Sequence, residues 1–345
     1  MSQWRFPAEW EPQHAVWLAW PHAGTDWAAR LADVEATYVS LIGAISRFQN
    51  VLLCVPDAAI AARARALLAA AGVDPGRLRL VEIPYDDTWM RDFGPITLLD
   101  PRGRPRFLDF QFTGWGGKYA AGQDDELIAG LVARGVLAAN AVQRIDFALE
   151  GGAIETDGRG TLLSTWRCLA ERHGDDARDT VTATLLKTLH QDRVLWLEHG
   201  YLEGDDTDAH IDTLARFAPN DAIVFQSCDD AADSHHAELG AMAAELAALR
   251  TTAGQPYRLF ALPWPQPVID EGRRLPASYA NFLIINQAVL MPSYDDPADA
   301  GAARVLAQAF PEREIVPVPC RPLIWQNGSL HCVTMQIPKG VLVDV

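Results

Sequence analysis

Residues 58–95, AAIAARARALLAAAGVDPGRLRLVEIPYDDTWMRDFGP, contain one complete copy of the pattern that organises this chain. An Ala-rich stretch with the apolar spacing of a helix comes first, at residues 58–71. A strand-like run follows at residues 78–83, and a polar motif that contains glycine begins at Asp86. The same order of element types returns about every 60 residues, a period that is typical of closed repeat architectures.

The pattern predicts five units, each with a helix, a strand and a polar motif. The other four helices are predicted at residues 124–133, 177–190, 233–249 and 297–310, the strands at residues 142–149, 194–197, 257–262 and 314–318, and the polar motifs near Glu150, His199, Ser278 and Gly328. Five such units favour a five-bladed α/β propeller with its site on the central axis, in which strands at residues 16–20 and 51–55 close the ring. An open, doubly wound α/β sheet also alternates strands with helices, so the pattern alone leaves both folds open.

Composition and charge limit the classes of partner. The 345 residues include 45 acidic and 29 basic side chains, which give a formal net charge of -16. Such a charge repels nucleic acid and anionic membranes. Because an acidic surface also serves solubility, the charge permits a cationic substrate without indicating one.

The cysteines and the apolar segments bear on location. The five cysteines form no Cys-x-x-Cys pair and their number is odd, which disfavours a disulfide framework or a cysteine-rich zinc site. A reducing compartment fits this usage. The N-terminal sequence lacks the basic and apolar segments of a signal peptide, and no apolar stretch is long enough to span a bilayer. We therefore expect a cytoplasmic protein that does not bind membranes.

Four polar motifs contain residue types that take part in catalysis. They hold Asp92, Glu150, the pair His210 and Asp212, and Cys332. Each residue taken alone has an ordinary structural explanation. Asp92 could cap a turn and Glu150 could end a strand in solvent. His210 and Asp212 could form a surface pair on one face of a strand, and Cys332 could be a buried structural thiol.

Taken together, the same residues form a coherent catalytic set. A thiol nucleophile, Cys332, needs a base such as His210, which an acid such as Glu150 can orient. Two further carboxylates, Asp92 and Asp212, would oppose a thiolate and an oxyanion. They make sense if the substrate is a delocalised cation, because a guanidinium offers paired N–H groups that match carboxylate geometry.

Several segments resemble the agmatine deiminase family, which belongs to the guanidino-group-modifying enzymes of the pentein superfamily. They are PAEWEPQHAVWLAWPH, DDTWMRDFGP, WGGKY, EGGAIETDGRGTLL, GDDTDAHIDTLARF, SYANFLIINQAVLMPSYDDPAD and SLHCVTMQIP. The resemblance runs in matching order from residue 7 to residue 338. It implies a five-bladed α/β propeller that forms a single domain over residues 1–345.

The resemblance also implies an activity, which is hydrolysis of agmatine to N-carbamoylputrescine and ammonia through a covalent amidino-cysteine intermediate. It implies no cofactor and no metal, and it places the enzyme in polyamine biosynthesis, upstream of putrescine. The implied roles are nucleophile for Cys332, general acid and base for His210, a partner of that histidine for Glu150, guanidinium ligands for Asp92 and Asp212, and a place beside the substrate for Trp89. Because most tryptophans are simply packed, Trp89 could equally belong to the core.

Two segments depart from the family pattern. Residues 326–330, QNGSL, replace a run of glycines before the His-Cys pair, and residues 166–173, WRCLAERH, replace an acidic, Asn-rich segment. Both could line the cavity, so they bear on the substrate tail. A substrate tail that ends in an amine would be bound by acidic or aromatic groups. Asp205, Asp206 and Asp208 could supply such groups, unless they form a solvated loop.

Other functions remain open at the level of sequence. A deiminase of arginine or of peptidyl-arginine would share the chemistry but would need a cationic or amide-rich far end. An amidinotransferase would share the covalent step and admit an amine acceptor. A non-catalytic pentein-fold binding protein is expected to lack the nucleophile or the base. The expected partner is a small cationic guanidino substrate, with no nucleic acid, and a homodimer is possible.

Overall fold

The computed structural model describes residues 4–341, which form a mixed α/β fold. The strands are β1 (Gln13–Ala19), β2 (Asn50–Val55), β3 (Leu78–Glu82), β4 (Ile96–Leu99), β5 (Pro105–Gln111), β6 (Val142–Ala148), β7 (Glu155–Thr156), β8 (Thr161–Thr165), β9 (Arg193–Leu197), β10 (Ala215–Ala218), β11 (Ala222–Gln226), β12 (Arg258–Leu262), β13 (Val268–Asp270), β14 (Arg273–Leu275), β15 (Leu283–Ile285), β16 (Ala288–Ser293), β17 (Glu314–Pro319) and β18 (Met335–Pro338). The helices are α1 (Leu31–Ser46), α2 (Ala58–Ala70), α3 (Met90–Phe93), α4 (Gly114–Gly117), α5 (Gly122–Asp125), α6 (Leu127–Ala133), α7 (Trp166–His173), α8 (Arg178–Thr188), α9 (His236–Ala248) and α10 (Asp299–Ala309).

Five sheets of the described chain share one internal order. In each of them an antiparallel pair is extended by a parallel strand, as in β4-β5-β6, β7-β8-β9, β10-β11-β12 and β15-β16-β17. The fifth sheet has the order β18-β1-β2-β3, with β18 antiparallel to β1. A helix precedes each last parallel strand because parallel neighbours need a crossover connection. The strands thus form separate small sheets and a β13-β14 hairpin, so the open single-sheet alternative is wrong.

All five helices predicted from the repeating pattern are present, together with the strand after each. They correspond to α2, α6, α8, α9 and α10, with ends that differ by a few residues. Two α-helices longer than four residues were missed. Helix α1 was missed although its buried residues, from Val34 to Ile45, recur every three to four positions as in an amphipathic helix. Helix α7 is short and lies in the segment that departs from the family pattern.

The polar motifs occupy equivalent places in the modules. Each one follows the last parallel strand of a sheet and leads into the first strand of the next sheet. The motif with Asp92 lies between β3 and β4, and the motif with Glu150 lies between β6 and β7. The motif with Cys332 lies between β17 and β18, and β18 pairs with β1. Strands β1, β2 and β3 therefore share a sheet with β18. The arrangement of the five sheets as the blades of a propeller stays a prediction.

Among residues 4–341, no helix combines the length and apolarity that crossing a membrane would require.

A buried ion network ties the N-terminal segment to two of the sheets. Arg216 on β10 is completely buried, and its guanidinium pairs with Glu9, at 2.9 Å, and with Glu155. It also donates to the carbonyl oxygen of Phe282 at 2.6 Å. Glu9 accepts a further hydrogen bond from the backbone N–H of Ile284 at 2.7 Å. Arg216 thus neutralises two carboxylates that come from distant parts of the chain, and Arg91 lies 3.6 Å from Glu9 as a second, more distant cation.

We expect Arg216→Met to lower the free energy of unfolding by about 3–5 kcal/mol, because Glu155 loses its cation and Glu9 keeps only the more distant Arg91. Urea-induced unfolding of the purified variants would measure the loss. Arg47→Met is the matched control, since the Arg47–Glu314 pair is half exposed on both sides and should contribute no more than about 1 kcal/mol. Equal effects of the two substitutions would contradict a structural role for the buried network.

Candidate active site

The catalytic residues predicted from sequence meet although they come from four separate loops. Asp92 lies on α3, Glu150 follows β6, His210 and Asp212 flank the turn at Ile211–Thr213, and Cys332 lies between β17 and β18. All five side chains are at least 96% buried. The solvated reading of Glu150 and the surface-pair reading of His210 and Asp212 are therefore wrong. The latter pair also lies in a 3-10 turn and not in a strand.

Gly152 is the point at which three of these residues converge. Its backbone N–H donates to Asp92 Oδ1 at 3.0 Å. A Cβ atom at this position would lie 2.6 Å from His210 Nδ1, 2.8 Å from Asp92 Oδ1 and 3.2 Å from Asp212 Oδ2. Only glycine leaves room for side chains from three loops to approach so closely. The Glu-Gly-Gly motif therefore supplies both the carboxylate of Glu150 and the space that the neighbouring side chains need.

Cys332 is the thiol of this cluster. Its Sγ atom lies 3.2 Å from Asn281 Nδ2 and 3.6 Å from Asp212 Oδ2. Burial raises the pKa of Cys332 well above its usual value, and Asp212 and Asp92 raise it further. The residue is thus a neutral thiol in the free protein, and it needs a nearby positive charge to become a nucleophile.

His210 lies between two carboxylates. Its Nδ1 is 3.6 Å from Asp92 Oδ1, and its Nε2 is 3.8 Å from Glu150 Oε2. Burial lowers the pKa of His210, but Asp92, Cys168 and Glu150 outweigh burial and raise it well above the usual value. The imidazole therefore holds a proton that it can deliver to a leaving group.

The carboxylates around His210 titrate at different pH values. Burial raises the pKa of Asp92 to about 6, against the lowering effect of His210. Burial alone would raise the pKa of Glu150, but His210 and Arg172 lower it to about 2. Glu150 is therefore anionic throughout the neutral range, whereas Asp92 titrates close to neutral pH.

A second histidine, to which sequence reasoning assigned no role, holds Asp212. His331 Nδ1 contacts Asp212 Oδ2 at 2.7 Å, and His331 Nε2 contacts Glu9 Oε2 at 2.8 Å. Burial would raise the pKa of Asp212, but the interaction with His331 lowers it. His331 could have been suspected because it precedes Cys332. Glu9 lies 322 positions from His331 in the chain and gave no such signal.

Two tryptophans lie near Asp92, one of the predicted guanidinium ligands. Trp89 is 5% exposed and packs against Trp27 at a ring-centroid distance of 5.7 Å. It also lines the large cavity that leads from the surface to Asp92, so it belongs both to the core and to the wall of that cavity. Trp115 donates from Nε1 to Asp92 Oδ2 at 2.9 Å. Its backbone φ is +55°, a strained value for a bulky residue that often marks functional sites. The WGGKY segment was recognised in the sequence, but the contact with Asp92 was not predicted.

A cavity of about 670 Å³ leads from the surface to Asp92 and Cys332. Its outer wall carries acidic side chains from several loops: Asp26, Asp86, Asp87, Asp124 and Asp206. Of the three acidic residues considered for the substrate tail, Asp206 lines the cavity. Asp205 instead accepts hydrogen bonds from the backbone at Thr207 and Ala209, and Asp208 pairs with cations.

The segment that replaces the glycine run also borders this cavity, at Gln326, Asn327 and Gly328. A Cβ atom on Gly328 would lie 2.0 Å from Cζ3 of Trp89, so the tryptophan ring occupies the space that any side chain would need.

A second cavity, of about 40 Å³, is lined by His331 and Glu9 and has room for little more than water.

Two buried groups of the described residues have metal-ligand chemistry. They are Glu150, Cys168 and His210, and Glu9, Glu155 and His331, with donor atoms within 4.8 Å of one another. Each group already contacts a buried arginine, Arg172 in the first and Arg216 in the second. These cations neutralise the carboxylates and oppose the entry of a metal ion.

The sequence matches the family description of the Porphyromonas-type peptidyl-arginine deiminases over residues 5–338. The agmatine deiminase of Stutzerimonas stutzeri strain A1501 is 35% identical, and the match covers 96% of this chain and 95% of the relative. A cysteine-to-serine variant of C. jejuni agmatine deiminase, solved with substrate bound, superposes with a TM-score of 0.89 at 33% identity and covers 98% of this chain and 97% of its own.

A third match is a Porphyromonas gingivalis protein whose structure carries a provisional arginine deiminase name. It superposes with a TM-score of 0.91 at 47% identity, over 99% of this chain and 100% of its own. The family resemblance read from the sequence segments is thereby confirmed over nearly the whole length. The chain belongs to the Porphyromonas-type peptidyl-arginine deiminase family, within which its curated relatives are agmatine deiminases.

Proposed function

We propose that this protein hydrolyses the guanidinium group of agmatine to give N-carbamoylputrescine and ammonia. The observation that carries the proposal is that the thiol of Cys332 and the carboxylate of Asp92 line an acidic cavity, with Asp212 3.6 Å behind the sulfur. The full-length similarity to curated agmatine deiminases supports the same activity. The presence of both thiol and imidazole argues against a non-catalytic binding protein.

The first half of the reaction forms the covalent intermediate. The planar cation enters with terminal N–H groups toward Asp92 and Asp212, and its charge favours ionisation of Cys332, whose proton leaves to solvent through the cavity. The thiolate attacks the central guanidinium carbon, which becomes tetrahedral. His210 delivers its proton to the departing nitrogen, the carbon–nitrogen bond breaks, and ammonia leaves. An amidino group remains attached to the sulfur.

The second half releases the product. Neutral His210 takes a proton from water while the water oxygen attacks the amidino carbon. The carbon–sulfur bond then breaks, the hydroxyl proton passes to the departing thiolate and restores the thiol, and the neutral ureido product leaves. Glu150 stays anionic through both halves and supports the imidazolium whenever it forms.

The cavity wall favours an amine at the far end of the substrate over a carboxylate. The two cations on the wall are already engaged, since Lys118 Nζ contacts the carbonyl oxygen of Asp206 and the carboxylate of Asp208, at 2.6 and 2.7 Å. Arg273 donates to Asn327 and to the carbonyl oxygen of Trp325. The charge of Lys118 is thereby paired with Asp208, whereas Arg273 meets only neutral oxygens and keeps its charge. Because acidic side chains outnumber these two cations on the wall, an ammonium group would be attracted more strongly than a carboxylate.

The same proposal extends to the architecture and the setting of the site. The motifs that meet at the site link successive sheets of one internal order, which supports a five-bladed α/β propeller with the site on its axis. We assign residues 1–345 to one domain that works in the cytoplasm. A homodimer stays a prediction from sequence.

The direct test is ammonia release from agmatine, arginine and an arginyl peptide, measured side by side. We expect agmatine to have the highest kcat/KM, and Cys332→Ser to lower kcat by at least about 10³-fold because the nucleophile is lost. Calorimetric binding of agmatine to the serine variant should persist, which separates catalysis from folding. Faster turnover of arginine than of agmatine would show that the enzyme prefers a substrate whose tail carries a carboxylate. Turnover by the serine variant would show that Cys332 is not the nucleophile.

The ionisation of Asp92 should set the acid limb of activity. In the free enzyme the pKa of Asp92 is about 6, so kcat/KM should fall as pH drops through this value, because the protonated acid is a poor guanidinium ligand. At saturating substrate, kcat should persist to lower pH, since the bound cation keeps Asp92 ionised. Asp92→Asn should lower kcat/KM by about 10- to 150-fold, the loss of one charge-assisted hydrogen bond. A variant with wild-type kcat/KM and an unchanged acid limb would make Asp92 structural.

The bound cation should promote ionisation of the thiol. Thiolate ultraviolet absorbance, titrated with and without an unreactive alkylguanidinium, should show a lower pKa for Cys332 with ligand, because the cation offsets Asp92 and Asp212. The Cys332→Ser protein supplies the background from the other four cysteines. Identical titration curves with and without the ligand would refute substrate-assisted ionisation.

A further inference from the structure

Arg172 is a buried cation behind the catalytic residues. Its side chain is 1% exposed, and its guanidinium contacts two separate segments. Nε donates to Glu150 Oε1 at 2.8 Å, and Nη1 donates to Asp208 Oδ2 at 2.6 Å. Nη2 donates to the carbonyl oxygen of Thr207 at 3.1 Å. The end of β6 is thus joined to the segment just before His210 through one planar group.

The neighbour of Arg172 on α7 holds the same end of β6. The imidazole of His173 stacks on Phe147 at a centroid distance of 4.1 Å, and its Nε2 contacts the carbonyl oxygen of Ala148 at 2.8 Å. Residues 172 and 173 therefore fix the last turn of chain before Glu150 from two directions. This arrangement restricts where the Glu150 carboxylate can lie.

The guanidinium of Arg172 also lies against the loop that orients Asp92. A Cβ atom on Gly116 would be 3.4 Å from Arg172 Nη1, and Gly116 has a φ of +82°, which favours glycine. The preceding residue, Trp115, donates to Asp92. Arg172 therefore contacts the supports of both carboxylates that flank His210.

We propose that Arg172 is a positioning residue for deimination, which holds Glu150 beside His210 and ties it to the cavity wall at Asp208. The inference rests on the proposed function. Complete burial of an ion pair contributes little net stability, because desolvation of both charges offsets their attraction. Precise placement of an acid beside a general base is a use that justifies this cost.

The charges around the pair define how Arg172 acts on the base. The groups facing Glu150 are Arg172, His210, Asp92, Cys168 and His173, and the groups facing His210 are Glu150, Asp92, Asp212 and Cys168. Burial would raise the pKa of Glu150, and Arg172 is one of the two groups that lower it. Without Arg172, Glu150 is free to move away from His210. Because a nearby anionic Glu150 raises the pKa of His210, its displacement should make the imidazolium lose its proton at lower pH.

The test is the pH dependence of kcat for Arg172→Met, Arg172→Lys and Arg167→Met with agmatine. Arg167 is the matched control because it lies on the same helix but is exposed. We expect Arg172→Met to lower kcat on the order of 100-fold and to move the basic limb to lower pH. Arg172→Lys, which keeps the charge, should restore the basic limb and part of kcat. Arg167→Met should leave both unchanged.

Asp208→Asn keeps the inference testable if the methionine variant does not fold. Asp208 is partly exposed, and its loss removes the outer anchor of the Arg172 guanidinium without leaving a buried charge on Glu150. We expect kcat to fall about 10-fold, with a basic limb shifted in the same direction.

The outcomes separate the two proposals. A wild-type enzyme without activity on guanidino substrates would overturn the proposed function. An active wild type, combined with a folded Arg172→Met or Asp208→Asn protein whose basic limb is unmoved, would overturn only the positioning role. A purely structural Arg172 would lower the amount of folded enzyme and leave the pH profile of that enzyme unchanged.

Discussion

Burial of carboxylates beside a thiol is the constraint on which the site depends. Asp92 and Asp212 lie near Cys332 and raise its pKa, so the thiol is neutral and unreactive in the free enzyme. Ionising the thiol beside these carboxylates costs free energy unless a nearby cation offsets the negative charge. A planar cation does so at the moment when the nucleophile is needed, which couples activation of the sulfur to recognition of the substrate.

Two buried arginines neutralise carboxylates that lie behind the cavity. Arg172 lies behind Glu150, and Arg216 lies behind Glu9, which in turn holds His331 and Asp212. These cations are fully buried and do not line the large cavity. The negative potential that remains therefore faces the cavity, and the acidic wall extends it outward. The net charge of -16 permitted this reading, but only the positions of the arginines give it direction.

Much of the site could be predicted from the sequence because its reactive residues occupy the same place in successive modules. Asp92, Glu150, His210 and Cys332 each follow a parallel strand, and the repeat made their convergence foreseeable. Glu9 could not be found in this way, since it precedes the first strand and reaches the site only through the tertiary packing of β1 against β18. Arg172 was equally hidden, because the sequence of α7 does not show that its basic side chain points inward.

Two neighbouring residues of the segment that replaces the glycine run are accommodated by different physical means. Near the mouth of the cavity, Asn327 adopts a φ of +69°, which asparagine tolerates better than most residues, and its Nδ2 donates to Asp206 at 2.7 Å. A glycine would satisfy the backbone there but would lose that bond to the wall. Gly328 has no such freedom, because the ring of Trp89 excludes any side chain. Of the glycine run, this chain therefore keeps the one member that sterics demand, and it uses its neighbour to fix an acidic residue on the cavity wall.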